Sequence, residues 1–211
     1  MHRISRKHAW IAGFLLATAA VAARNFDLRI ADAFFYDRAA QAWIGAHTWW
    51  AVDVIHTGGG WLIRLIGFAA TAIAVAGTRL RRLAPFRRGA AYVALALALC
   101  PAVVAGLKQV TNVDCPRDLL QFGGDRPYAQ PFGDRPDGLP RASCYPGSHS
   151  STGFALMAFY FVLLDRRPRL ARSALAGAIL TGAAFSFGQQ ARGAHFLSHD
   201  LASAAIAWFV L

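Results

Sequence analysis

Charge is scarce in this chain. Only 16% of its 211 residues are charged, where a soluble domain carries about a quarter. Acidic side chains number 11 against 22 basic ones. Lysine is nearly missing: Lys7 and Lys108 are the only two, so the other 20 basic residues are arginines. Those arginines do not line one polar face, as a nucleic-acid surface would require. Most stand in short clusters between apolar runs, so the net charge of +11 argues for a membrane and against nucleic acid. A soluble helical bundle is excluded by the same shortage. Its helices need charged outer faces, and the run from Ala90 to Leu107 holds no charge at all.

What the chain has instead is apolar length. Hydrophobic residues make up 56% of it, and a helix needs about 20 mainly apolar residues to cross a bilayer. Six segments qualify or come close: His8 to Ala23, Trp61 to Thr78, Ala90 to Leu107, Ser151 to Leu164, Ser173 to Gly188, and Phe196 to Leu211. The fourth and sixth reach spanning length only by starting in the polar motifs before them. The first, preceded by a basic start and containing Ala20 to Ala23, also has the shape of a signal peptide. Its likeness to the later segments favours a retained helix. All six are rich in alanine, glycine and other small residues, which lets neighbouring helices approach closely. The expected fold is an all-α, six-span transmembrane bundle forming a single domain over residues 1–211.

Arginine placement orients that bundle. Arg3, Arg6 and Lys7 precede the first span, Arg79, Arg81, Arg82, Arg87 and Arg88 join the second to the third, and Arg166, Arg167, Arg169 and Arg172 join the fourth to the fifth. With six spans these segments share the cytoplasmic side, as do both termini. The connections from Arg24 to Gly60, from Lys108 to Ser150 and from Gln189 to His195 then share the outer, non-cytoplasmic side. In the first of these, Phe26 to Tyr36 reads as an interfacial amphipathic helix with Phe26, Ile30, Ala33 and Phe34 on its apolar side and Asp27 and Asp32 off it. Trp43, Trp49, Trp50 and Trp61 read as packing anchors or an aromatic belt. The second connection, Thr111 to Pro146, is an irregular loop of a length that is usually functional. Its Cys115 and Cys144 share the oxidising side and are expected to pair, for about 3–4 kcal/mol. Cys100, inside the third span, reads as packing.

Ionisable residues crowd three places at the outer boundary. Arg192, His195, His199 and Asp200 fall within nine residues, a second group surrounds His149, and a third begins at Lys108. Such groups at a hydrophobic boundary point to chemistry. Lys108, Arg117 and Arg192 are cations suited to a phosphate. Gly147 and Ser148, small and just before a helix, let backbone N–H groups approach an anion. His149 and His195 supply two imidazoles, one to attack phosphorus and one to protonate the leaving oxygen. Asp200 or Asp114 would orient the attacking ring. His47 and His56 lie in the first outer loop without basic partners and read as solvated or interfacial, and Arg64 as a snorkelling residue near the outer end of its span.

Order and spacing of these clusters resemble the type 2 phosphatidic acid phosphatase superfamily, which also includes the vanadium haloperoxidases. The resemblance covers about Lys108 to Ser203. That family's first motif is a lysine followed by arginine-proline, its second Pro-Ser-Gly-His, and its third Ser-Arg, five residues, His, three residues, Asp. Here Lys108 is followed by Cys115-Pro116-Arg117-Asp118, with the arginine two positions late and its proline in front. Arg126-Pro127 and Arg135-Pro136 have the right dipeptide at the wrong distance. The second motif reads Pro146-Gly147-Ser148-His149. In the third, Gly193-Ala194-His195-Phe196-Leu197-Ser198 fits the segment around the nucleophile. Gln189, however, stands where arginine is expected, and Arg192 is half as far from His195. His199 takes the expected carboxylate position, with Asp200 one further on. Two assignments therefore stand: His195 attacks, oriented by Asp200 or His199, or His199 attacks with Arg192 seven residues before it.

The resemblance implies hydrolysis of a lipid phosphate or diphosphate through a phosphohistidine, with no metal or other cofactor. The bilayer and a lipid substrate would be the partners, with no nucleic acid and no obligate protein partner. Transfer of the phosphate to a second lipid is the variant reading. The alternatives of a different class are a haem-binding membrane protein, which would need histidines facing each other within spans, and a transporter or scaffold without chemistry.

Overall fold

The computed structural model describes residues 26–131 and 133–211. The expected first span, from His8 to Ala23, lies outside the described residues. The described chain is mostly helical, and three of its helical stretches are long and apolar enough to cross a membrane: Trp50–Ala76, Ala84–Asp118 and Pro168–Ala191.

The first of these begins with a π-helical stretch, Trp50–Gly58, and continues as helix α2, Gly59–Ala76. It therefore starts eleven residues before the expected span at Trp61 and turns the last eleven residues of the expected outer loop into helix. Helix α3, Arg87–Thr111, follows a 3-10 turn over Ala84–Phe86 that carries Pro85 at its start, where a missing N–H costs nothing. Its buried residues are Val93, Ala96, Leu97, Cys100 and Val104, a single stripe at helical spacing. Outside that stripe the surface is apolar too: Leu95, Leu99 and Val110 are exposed, as on a helix facing lipid. The helix stops at Asn112, which adopts the left-handed conformation (φ 49°) that asparagine tolerates.

The expected fourth span is a broken helix. Helix α4, Ser148–Phe154, passes through a 3-10 turn at Ala155–Met157 into helix α5, Ala158–Leu163. Helix α6, Pro168–Ala191, again opens on a proline, and helix α7, Leu197–Val210, ends the described chain. The α4–α5 stretch and α7 are shorter than a bilayer crossing, because their first turns carry the polar clusters. α2 packs on α3, and α4 packs on α6, α7 and α3. Their shared core runs through Ile63, Leu97, Cys100, Phe154, Met157 and Phe185.

Helix α1, Phe26–Phe34, turns one of its two acidic residues inward. Phe26 and Phe34 are exposed, while Asp27 and Ala31 are buried. The reason lies at the start of α7. The residue before that helix, Phe196, has no capping side chain, so the first N–H groups lack acceptors. Asp27 supplies one from a distance: Oδ1 accepts from the Ser198 N–H at 3.0 Å, and the other oxygen accepts from the Ser198 hydroxyl. A carboxylate at a helix start is also favoured by the helix dipole. Burial pushes the Asp27 carboxyl above its ordinary range, against the two Ser198 bonds, which pull it down.

Beyond α1 a two-residue hairpin pairs Tyr36–Asp37 (β1) with Ala42–Trp43 (β2). Tyr36, Trp43 and Phe122 meet edge to face there, and Phe35, Leu119, Ala191 and Phe196 complete the cluster. Of the tryptophans, Trp43 is this buried anchor, whereas Trp49 and Trp61 are exposed. The aromatic cluster ties the loop after α3 to the segment between α6 and α7, which joins two of the polar clusters.

Candidate active site

His195 stands in the short non-helical link between α6 and α7. Its Nδ1 lies 3.0 Å from Asp200 Oδ1, and both side chains are buried. The second Asp200 oxygen accepts from Gln190 Nε2 at 3.2 Å. With both oxygens accepting, the carboxylate is the ionised partner and His195 Nδ1 carries the hydrogen, which leaves Nε2 with its lone pair free.

Gly147 connects this pair to the second cluster. A methyl group on its Cα would come within 2.6 Å of Asp200 Oδ1 and Ser150 Oγ and 2.7 Å of His195 Nδ1. No larger residue leaves the imidazole–carboxylate pair where it is. The Gly147 N–H donates to the His199 carbonyl (3.0 Å), and the Ser203 hydroxyl donates to the Gly147 carbonyl (2.7 Å), so the α4 start and the first turn of α7 are stitched together. Ser148, half-buried, is the first residue of α4.

His149, one residue on, stacks on Phe185 at 4.4 Å, and its Nε2 sits 3.2 Å from the Ile55 carbonyl. A carbonyl only accepts, so Nε2 is the protonated nitrogen and Nδ1 is the one left to exchange a proton. Burial first, and then the nearby His56, His195 and Arg192, push this ring down to about 4, against the Ile55 carbonyl bond, which raises it.

Lys108 Nζ donates to the Ser143 carbonyl at 2.7 Å, and its charge acts on Asp200 and His199. The Arg117 N–H donates to the Gly193 carbonyl at 2.9 Å, and the Arg117 charge acts on Arg192. Burial first, and then Arg117, push Arg192 below its ordinary value. Gly193 permits the approach: it has φ 65°, and a Cβ there would meet the Trp43 ring at 2.4 Å. Of the three arginines left open by the sequence, Arg126 and Arg135 are occupied elsewhere. Both clasp the buried Asp114, at 2.6 Å and 2.7 Å. Asp114 is thus held by two guanidiniums, and its printed bonds go to no imidazole. Arg117 remains as the arginine of the first cluster beside Arg192.

His199 lies in the first turn of α7, with its ring centroid 6.1 Å from that of His195. It is fully buried and bonded to the Cys144 backbone, with Nδ1 unpartnered. His195 precedes the helix, which starts at Leu197, so the two do not share a helical face. Asp200 pairs with His195, not with His199. Cys115 and Cys144 are joined as a disulfide with Cα atoms 5.1 Å apart, and it fastens the end of the loop to its beginning just before Gly147. Among the described residues no three His, Cys, Asp or Glu side chains converge as metal ligands would.

One residue of this site escaped the sequence reading. His56, taken as a loop histidine without basic partners, sits in the π-helical stretch with its ring centroid 4.7 Å from that of His149. Its Nδ1 lies 2.9 Å from Gln189 Nε2, and Gln189 Oε1 accepts from Arg192 at 3.2 Å. The direction of this chain follows from its ends: arginine can only donate, so the amide turns its nitrogen to His56, whose Nδ1 accepts. The charges of Arg192, His195 and Arg64 all act on His56. The available signal was Gly58-Gly59-Gly60 beside a histidine at the start of an apolar run, the same small-residue context as His149.

A family model described as the PAP2 superfamily matches residues 89–211. No curated protein and no solved structure matches the chain.

Proposed function

The chain belongs to the PAP2 superfamily, and from that membership and the site geometry we propose that it is a membrane-embedded phosphatase. Acting as one domain, it hydrolyses a lipid phosphate or diphosphate monoester at the periplasmic face of a bacterial inner membrane, through a phosphohistidine. Phosphatase-type chemistry goes with the family. The observation that carries the finer reading is the buried His195–Asp200 pair at 3.0 Å, into which Gly147, two residues before the second imidazole, packs closely.

His195 Nε2 attacks phosphorus, forming a P–N bond while the bond from phosphorus to the leaving oxygen breaks. Asp200 holds the ring in the attacking tautomer and stabilises the imidazolium that develops. His149, protonated at both nitrogens once the anionic phosphate is bound beside it, passes the Nδ1 proton to the leaving oxygen. Water then adds to phosphorus, gives a proton back to His149, and the P–N bond breaks to release inorganic phosphate. Lys108, Arg117 and Arg192 neutralise the equatorial oxygens, whose charge must be stabilised in the transition state. The outer location is supported by the arginine clusters. Arg79 to Arg88 and Arg166 to Arg172 sit at the helix ends remote from the site, where the positive-inside rule puts the cytoplasm.

The test is purified protein in detergent, offered a panel of lipid phosphates and diphosphates, with released phosphate measured and the phosphoenzyme trapped and mapped. The expected result is phosphate on His195. Phosphate on His199, or no phosphoenzyme with any turned-over lipid, overturns the assignment. Phosphate recovered on an added lipid alcohol instead of in water identifies a phosphotransferase.

A further inference from the structure

We propose that the lipid-side cleft next to His149 is a leaving-group subsite built for a lipid diphosphate, in which Arg64 binds the phosphate that stays with the lipid. The inference rests on the phosphatase reading above and narrows it to one substrate class.

Arg64 is a cation without a visible counter-charge. It lies in α2, within a stretch long and apolar enough to cross a membrane, flanked by the exposed Leu65 and Phe68. Among the described residues no carboxylate forms an ion pair with it. Its guanidinium lies 5.1 Å from the centroid of the Trp61 ring. Charges in such segments are costly and mark ligand or ion paths. Helical side chains lean toward the helix start, and that lean carries Arg64 back to the level of the site. A methyl group on Gly60 would have Arg64 Nη1 at 3.9 Å and His149 Cε1 at 3.8 Å. Arginine and imidazole therefore border one gap, and the Arg64 charge acts on His56 as well.

The gap opens into a cleft of about 390 Å³ between α2 and α3. Its walls are Ile63, Gly67, Phe68, Leu97, Ala98 and Pro101, and His149 and Thr152 also line it. The cleft thus combines an apolar stretch, one cation and the proton donor. The phosphate under attack already has Lys108, Arg117 and Arg192. Arg64 stands apart from them, on the side of His149, where the leaving group departs.

A lipid monophosphate leaves as an uncharged alcohol and gives an arginine there nothing to neutralise. A lipid diphosphate leaves as a lipid monophosphate, whose second pKa of about 6 keeps it charged at neutral pH. In this step His195 Nε2 bonds to the terminal phosphorus, the bond from that phosphorus to the bridging oxygen breaks, and the bridging oxygen stays with the lipid phosphate held by Arg64. Such a leaving group is a weak base, so it depends less on the His149 proton than an alkoxide does.

The experiment compares a fifteen-carbon polyprenyl diphosphate with the matching monophosphate on the full chain in detergent. In the unmodified protein kcat/KM is expected to favour the diphosphate by at least about ten-fold, the worth of one charge-assisted contact. Arg64→Gln should lower the diphosphate value by about 30-fold and the monophosphate value by less than about three-fold, and Arg64→Lys should recover part of the difference. His149→Ala should cost the monophosphate more than the diphosphate. Equal losses on both substrates in Arg64→Gln, or a monophosphate preference in the unmodified protein, overturn the subsite while leaving the phosphatase reading intact. Release of phosphate from neither lipid overturns both.

Discussion

The two ends of the helical bundle are both rich in cations, and they use them in opposite ways. At the far end Arg79, Arg81, Arg82, Arg87, Arg88, Arg166, Arg167, Arg169 and Arg172 are all exposed. Among the described residues no ion pair joins any of them to a carboxylate. A cleft of about 1020 Å³ opens there, lined partly by Arg88, Arg166 and Arg167. At the site end the space beside His149 is less than half as large. There, however, Arg126 and Arg135 are committed to Asp114, Arg192 to Gln189, and His195 to Asp200. The comparison teaches that neither the amount of positive charge nor the volume of a cleft makes a site. What distinguishes the site end is that His195, Asp200, Arg192 and Gln189 each have a partner that fixes which atom they present, while His199 keeps an unpartnered Nδ1.

The sharpest way to test this contrast is to remove the one nitrogen expected to bond phosphorus. His195→Ala should lower phosphate release by at least about 10³-fold, since the residue belongs to a unit whose members act together. Activity within ten-fold of the unmodified protein would erase the distinction between the ends. Next in size is the disulfide. Replacing Cys115 and Cys144 together by serine should reduce stability by about 3–4 kcal/mol, read as a lower thermal midpoint, whereas Cys100→Ser sits outside this linkage and leaves the reductant dependence of the midpoint unchanged. An unmodified protein whose midpoint ignores reductant would remove the disulfide from the account. Gln189→Leu cuts the bridge between Arg192 and His56 and leaves two polar groups unpaired, for a loss in kcat/KM of about ten-fold. An unchanged value would mean that the bridge positions nothing. Smallest of all, Arg166→Gln combined with Arg167→Gln should change phosphate release less than about two-fold, because both are exposed and, among the described residues, neither is in an ion pair. A large loss there would show that the far end takes part in turnover.

How much of this was legible beforehand follows the same division. Apolar runs and arginine clusters are local patterns, so three of the long helices and the grouping of charge at helix ends could be read from the chain. The clusters around Lys108, His149 and His195 were visible for the same reason. Their wiring was not, because it depends on contacts between residues distant in sequence. His195 and His199 looked interchangeable at four-residue spacing, and only the start of α7 at Leu197, between them, separates their environments. Arg117 was the expected arginine, with Arg126 and Arg135 left as competitors by their dipeptides, and Asp114 holds both competitors. The burial of Asp27 in α1 had no local signal either. Asp27 looked like a solvent-facing acid, and its partner Ser198 is 171 residues away.

That last bond sets a boundary for anyone who shortens the protein. The segment Phe26–Phe34 precedes every motif and could be mistaken for a dispensable leader. Yet its second residue is what the opening turn of α7 leans on, and that turn holds His199 and Asp200. A chain trimmed to begin after Phe34 would keep every motif residue and still lose the acceptor that anchors the carboxylate's own helix.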